Sequence, residues 1–193
     1  MSSERAKMNT LSELHQDHIN LTRLLDILER KVARLRDGVH PDFSLMADVV
    51  SYVGDYADQY HHPHEDIMYE FFRGRDAELD QRLSACEQEH QTLKQLSGTL
   101  SESIEAILND AVVPMDRFTD QLDAFVSAEK RHLDFEEGEI FPRLDALASE
   151  ADWQQLEQQI PRPADPLFGE HQAEQYRELY RALLEDMNRE EEP

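Results

Sequence analysis

From Leu11 to about Arg36, apolar residues recur at Leu14, Leu21, Leu25, Leu28, Val32 and Leu35, with His18 on the same stripe. Steps of three, four and seven place all of them on one face of an α-helix. Thr10 or Ser12 suits its N-cap, and Asp37-Gly38 suits its end. The pattern predicts a second helix from Pro41-Asp42 to about Phe72, broken at Arg73-Gly74. A third runs from about Ala77 to Leu108 and stops at Asn109-Asp110. A fourth begins near Pro114 and reaches about Leu147, with Pro142 late in its course. Four long helices with short connections predict an all-α, up-down-up-down four-helix bundle. No alternating run of β-branched residues marks a strand.

The bundle accounts for residues 1–147, and 148–193 reads as a C-terminal helical extension. Trp153 to Ile160 suggests a short helix, and PRPADP at 161–166 a linker. Phe168, Tyr176, Leu179, Tyr180, Leu183, Leu184 and Met187 then form one apolar stripe on a last helix, roughly 167–188. Such a face needs a partner, either the bundle, which it would cover as a lid, or a second subunit in a homodimer.

Hydrophobic residues make up 39% of the chain, enough for a real core. The charge is strongly acidic: 42 Asp and Glu against 19 Lys and Arg give −23. That surface repels nucleic-acid phosphates and anionic lipid. No apolar run approaches the ~18 residues of a membrane span, and MSSERAKMNTLSEL has no apolar signal core. The single cysteine, Cys86, allows no intrachain disulfide. The expectation is a soluble cytoplasmic protein with no nucleic-acid or membrane partner.

An internal repeat turns this acidic bundle into a chemical candidate. Shifted by 72 residues, LSELHQDHINLTRLL (11–25) lies over LSACEQEHQTLKQLS (83–97), matching His18 to His90 and Asp17 to Glu89. Shifted by 71, ADQYHHPHED (57–66) lies over AEKRHLDFEE (128–137). This matches His61 to His132, Glu65 to Glu136, Asp58 to Glu129 and Asp66 to Glu137. Each half thus has one His on its first helix and His-x-x-x-Glu on its second. Residues four apart share a helix face, so His61 with Glu65, and His132 with Glu136, can both point inward. A pseudo-twofold bundle would bring both halves' ligands to one place. Imidazoles bind iron, zinc and copper, and a carboxylate can bridge two ions. Two divalent ions would also offset the cost of burying two carboxylates.

The motifs DHINLTRLL, YHHPHED, EHQTL and HLDFEEGEIFP, over roughly residues 8–147, resemble those of hemerythrin-like proteins of the HHE cation-binding type. The resemblance implies a non-haem di-iron centre, two iron ions bridged by carboxylates and able to bind or react with O2. It assigns His18, His61, Glu65, His90, His132 and Glu136 as metal ligands. His62 is a candidate fifth imidazole, since its repeat partner is Leu133, which would leave the two ions unequally coordinated. Two features depart from the oxygen-carrying hemerythrins. Their third helix carries His-x-x-x-His, where here Cys86 stands four before His90. Their last motif is His-x-x-x-x-Asp, where here it is His-x-x-x-Glu.

Plainer expectations attach to the other residues. His15, three before His18, is the alternative to His62 as the fifth imidazole and otherwise suits a surface or hydrogen-bonding role; His64 suits solvent, His40 a loop and His171 structure. Asp66 and Glu137 read as solvated faces, Cys86 as apolar packing, Tyr56, Tyr60 and Tyr69 as seam residues, and Pro63 as a kink beside the site. The resulting function is O2 or oxidant chemistry, in sensing, peroxide or nitric oxide handling, or iron sequestration. Two alternatives stand beside it. One is a ferritin-like carboxylate oxidase, suggested by Glu87-x-x-His90 and Glu129-x-x-His132. The other is a non-catalytic zinc or interaction module.

Overall fold

The computed structural model describes residues 3–161 together with 165, 167, 168, 176, 177, 179 and 181, with side chains from Thr10 onward. Helix α1 spans Ser3–Arg36, α2 Phe43–Tyr56, α3 His62–Phe72, α4 Ala77–Leu108, α5 Met115–Phe135, α6 Phe141–Leu147 and α7 Glu150–Glu157. Among the described residues there is no strand. α1 packs on α2 and α5, and α4 packs on α2 and α5, closing an all-α bundle of four rods. The second rod is α2 followed by α3, and the fourth is α5 followed by α6.

The ends of the helices follow from local chemistry. Asp42 caps α2 by accepting from the Ser44 and Leu45 N–H groups, and Asp76 caps α4 through Leu79 N–H at 2.7 Å. At the end of α1, Gly38 takes φ +76°. There Gly38 N–H donates to Leu35 and Val39 N–H to Arg34, a Schellman stop. The same pair of bonds closes α4, with Asp110 at φ 59° in the position usually given to glycine. α1 begins earlier than the apolar stripe suggests. Thr10 is therefore a buried interior residue, and neither it nor Ser12 is the cap.

Both composite rods contain a π-helical turn, Ala57–His61 between α2 and α3 and Glu136–Ile140 between α5 and α6. Each turn ends two residues before a proline, Pro63 or Pro142. A proline inside an α-helix lacks its N–H and presses on the carbonyl four residues back. The wider turn relieves this, with His62 N–H donating to Ala57 and Phe141 N–H to Glu136, five residues back. The expected kink at Pro63 is thus an extra residue taken into the turn. That residue rephases the helix, and the adjacent His61 and His62 are both buried.

Two apolar cores occupy the two ends of the bundle. The first gathers Leu21 to Val32 of α1, Met46 to Tyr56 of α2, Leu100 and Ile104 of α4, and Phe118 to Val126 of α5. The second gathers Leu14, Met68, Tyr69, Phe72, Leu79, Leu83, Ile140, Phe141 and Leu144. The C-terminal residues join both. Trp153, Leu156 and Ile160 fill the second core, and Leu167, Tyr176 and Leu179 join the first. Tyr52 O–H donates to Asp165 at 2.9 Å, and Tyr176 meets the Tyr52 ring edge-on. The described part of the extension therefore lies against the bundle. Tyr180, Leu183, Leu184, Met187 and His171 lie outside the described residues. No helix among the described residues is long and apolar enough to cross a membrane.

Trp153 is 1% exposed and Val112 is 98% exposed. Trp153→Ala should lower the unfolding free energy by about 3–5 kcal/mol, the usual range for emptying a large aromatic site. Val112→Ala should change it by less than about 0.5 kcal/mol. Chemical denaturation of the two variants checks both figures, and equal effects would place Trp153 outside the core.

Candidate metal centre

Between the two apolar cores lies a buried polar layer. It contains His18 of α1, His61 of the π turn, His62 and Glu65 of α3, His90 of α4, His132 of α5 and Glu136 of the second π turn. Each is at most 6% exposed. All seven residues singled out from the sequence therefore converge, through four rods that bring residues 18 to 136 together. Their donor atoms fall into three overlapping groups, each within 4.8 Å: His18, His61, Glu65 and Glu136; His62, Glu65, His90 and His132; and Cys86, His90, His132 and Glu136.

The distances suit donors arranged around ions. His18 Nε2 lies 3.0 Å from His61 Nε2, 3.5 Å from Glu65 Oε1 and 3.4 Å from Glu136 Oε2. His61 Nε2 is 3.3 Å from Glu65 Oε1, and His132 Nε2 is 3.5 Å from Glu136 Oε2. Atoms each about 2.1 Å from a shared ion lie roughly 3.0–3.4 Å apart. Both Glu65 oxygens, Glu136 Oε2 and His132 Nε2 are buried without a hydrogen-bond partner. Such orphaned atoms are costly unless something else binds them.

The outer nitrogen of every core histidine meets an acid. His18 Nδ1 is 2.8 Å from Glu137, His61 Nδ1 is 3.2 Å from Asp17 and His132 Nδ1 is 3.0 Å from Glu89. His90 Nδ1 reaches Asp66 at 3.4 Å and His62 Nδ1 reaches Asp58 at 3.8 Å. A proton held on Nδ1 by an acid leaves Nε2 free to accept an ion on the inner side. These contacts obey the repeat. His18–Glu137 mirrors His90–Asp66, and His61–Asp17 mirrors His132–Glu89. Asp66 and Glu137 therefore have specific partners. The matched charges Asp17/Glu89 and Asp66/Glu137 are visible in the repeat, but their targets lie on neighbouring helices, which a linear reading does not pair.

Other residues sort around this layer. His15, largely exposed, shares Glu137 with His18 at 2.9 Å. His64 is half-buried in a cleft with Glu13, Asp17, Tyr56, Tyr60 and Asp165, not out in solvent. Tyr69 is buried and donates to Glu136 at 2.7 Å, so its role exceeds seam packing. Glu87 faces outward and pairs with Arg73, which removes it from the ferritin-like pattern. Glu129 is 3% exposed but belongs to none of the three donor groups.

With no ion present, protons redistribute to offset the buried charge. Burial opposes charging His18, but the close carboxylates of Glu136, Glu137 and Glu65 outweigh it and push the ring up to about 12. His90 is raised to about 10, again against burial, by Asp66 and Glu136. His61 is held well below its ordinary value by burial and by the charge on His18. Burial and the neighbouring Glu136 raise Glu65 to about 8, while His132, His18 and His90 overcome burial to hold Glu136 low.

Four helices enclosing a His and Glu layer define a cation-binding bundle. The chain belongs to the family of the hemerythrin HHE cation-binding domain, whose family model matches residues 9–144. No curated protein matches it.

Glu129 supplies a test that needs no metal. Burial raises its carboxyl from 4.5 to about 8. The folded chain therefore holds a proton that the unfolded chain releases above pH 4.5. Stability is full below that pH and is lost as pH rises through 8. Glu129→Gln should stabilise the metal-free protein at pH 8 by on the order of 3 kcal/mol, and far less at pH 5. Denaturation curves at the two pH values measure the difference.

Proposed function

We propose that the chain is a non-haem di-iron protein that binds or reacts with O2 or a related small oxidant. One observation carries this reading. Glu65 and Glu136 each occur in a donor group with His18 and His61 and in another with His90 and His132. Two carboxylates shared between two imidazole sets are what a pair of bridged ions requires. In this assignment His18 and His61 would hold one ion. His62, His90 and His132 would hold the other, with Glu65 and Glu136 shared between them. Mixed imidazole and carboxylate donors suit iron, and bound iron would supply redox change and a coordination position open to O2, peroxide or nitric oxide.

The chain's own residues do the rest. Glu137, Asp17 and Glu89 orient His18, His61 and His132 and hold their outer protons, while Asp66 and Asp58 are the acidic neighbours of His90 and His62. Phe141 stacks on His18, with ring centres 5.3 Å apart and planes at 12°, shielding that side from water. A surface cleft is lined by Asp17, Tyr56, Tyr60 and His64, with Asp17 between it and the buried His61. Asp17 meets His61 Nδ1 at 3.2 Å.

Protein produced with iron available should contain about two irons per chain, read by elemental analysis. Glu65→Ala and Glu136→Ala should each lose at least one, and variants that keep both would remove the bridging assignment. Zinc alone, or no metal after anaerobic iron loading, would sink the di-iron reading in favour of a binding module.

The outer acids make a separate prediction. Asp17→Asn and Glu89→Gln should each weaken iron binding by about 10–100-fold with helical content unchanged, the usual effect of removing a ligand's hydrogen-bond partner. Competition with a chelator measures it, and unchanged affinity would make these contacts incidental.

A further inference from the structure

We propose that Cys86 is a thiolate ligand to the ion held by His90 and His132. The inference rests on the paired-ion reading above and deepens it. Cys86 precedes His90 by four residues, so α4 presents both on one face, as the other rods present His61 with Glu65 and His132 with Glu136. Its sulfur is fully buried, 3.0 Å from Glu136 Oε1 and 3.7 Å from His90 Nε2. Together with His132 and Glu136 these atoms form one of the three donor groups.

Packing alone does not account for this position. Cys86 borders the second apolar core, yet its sulfur is turned toward a carboxylate and the Tyr69 hydroxyl, 3.8 Å away. The independent sign of a ligand comes from the same group. His132 Nε2 and Glu136 Oε2 are buried and have no hydrogen-bond partner. On coordination the S–H bond breaks, the proton leaves to solvent and the sulfur lone pair passes to the ion. No oxidation state changes. Charge also balances, because two divalent ions bring more positive charge than Glu65, Glu136 and one thiolate remove. Sulfur on one ion and only nitrogen and oxygen on the other would make the pair chemically distinct.

Cys86 is the chain's single cysteine, so a thiolate signal has one source. The test is X-ray absorption at the iron edge on iron-loaded wild type, Cys86→Ser and Cys86→Ala, with iron content measured on each. The expected result is a sulfur shell near ~2.3 Å in wild type, by analogy with zinc–thiolate bonds, that both variants lack. A thiolate charge-transfer band should disappear with it. Wild type carrying two irons and no sulfur shell, or a shell that persists in both variants, overturns the Cys86 assignment and leaves the di-iron reading intact. Wild type that binds no iron overturns both. If a variant fails to fold or loses its iron, the wild-type spectrum still decides.

Discussion

Two carboxylates, Glu65 and Glu136, are fully buried in the middle of the bundle. The rest of the structure is arranged around that constraint. A lone buried carboxylate is among the costliest groups a fold can contain, and two within reach of the same imidazoles repel each other. Apolar packing cannot offset this, so the layer must receive positive charge. Without ions, protons on His18 and His90 supply it, and Glu65 retains its own proton to well above the usual carboxylate range. These proton positions are the ones metal ions would replace. Ion binding should therefore release protons and weaken as pH falls.

The two apolar cores matter to the site because they fix what the polar layer cannot. Leu14 and Leu21 flank His18 on α1, one in each core. Leu83 and Leu93 bracket His90 on α4 and are both buried. Packed side chains on either side hold each helix's rotation, so the imidazoles enter the layer from set directions. The acids bonded to the outer nitrogens of His18, His61 and His132 then set the tautomers of those rings. Stability and site geometry are thus divided between different atoms. Apolar contacts supply the first, and a ring of outer carboxylates refines the second.

Much of this was legible in the chain. The third helix has the ends its sequence predicts, because the Arg73-Gly74 break before it and Asn109-Asp110 after it are local signals. The repeat alone brought out the inner histidines and glutamates, since ligands must recur when a bundle is built from two similar halves. What stayed hidden depends on contacts between rods. Glu89 finds its role only beside His132 on α5, and Tyr69 only beside Glu136. Pro63 signalled a disturbance, but a kink and a π turn leave the same mark in the sequence. The outward turn of Glu87 follows from Arg73, which lies on a different rod.

The repeat is also broken in ways that bear on chemistry. His62 is matched by Leu133, and its partner acid Asp58 is matched by Glu129, which is left buried without an imidazole of its own. Cys86 has no counterpart either, since the aligned residue on α1 is Leu14. The π turns differ in phase too. The first ends at His61, whereas the second begins at Glu136, four residues beyond His132. Two of these differences, His62 and Cys86, fall in donor groups with His90 and His132 and in none with His18. The two halves of the layer therefore differ in their donor sets although they share one helical plan. The donor groups that include His90 and His132 draw on Cys86 and His62 as well as the two glutamates, whereas the group of His18 and His61 is completed by Glu65 and Glu136 alone.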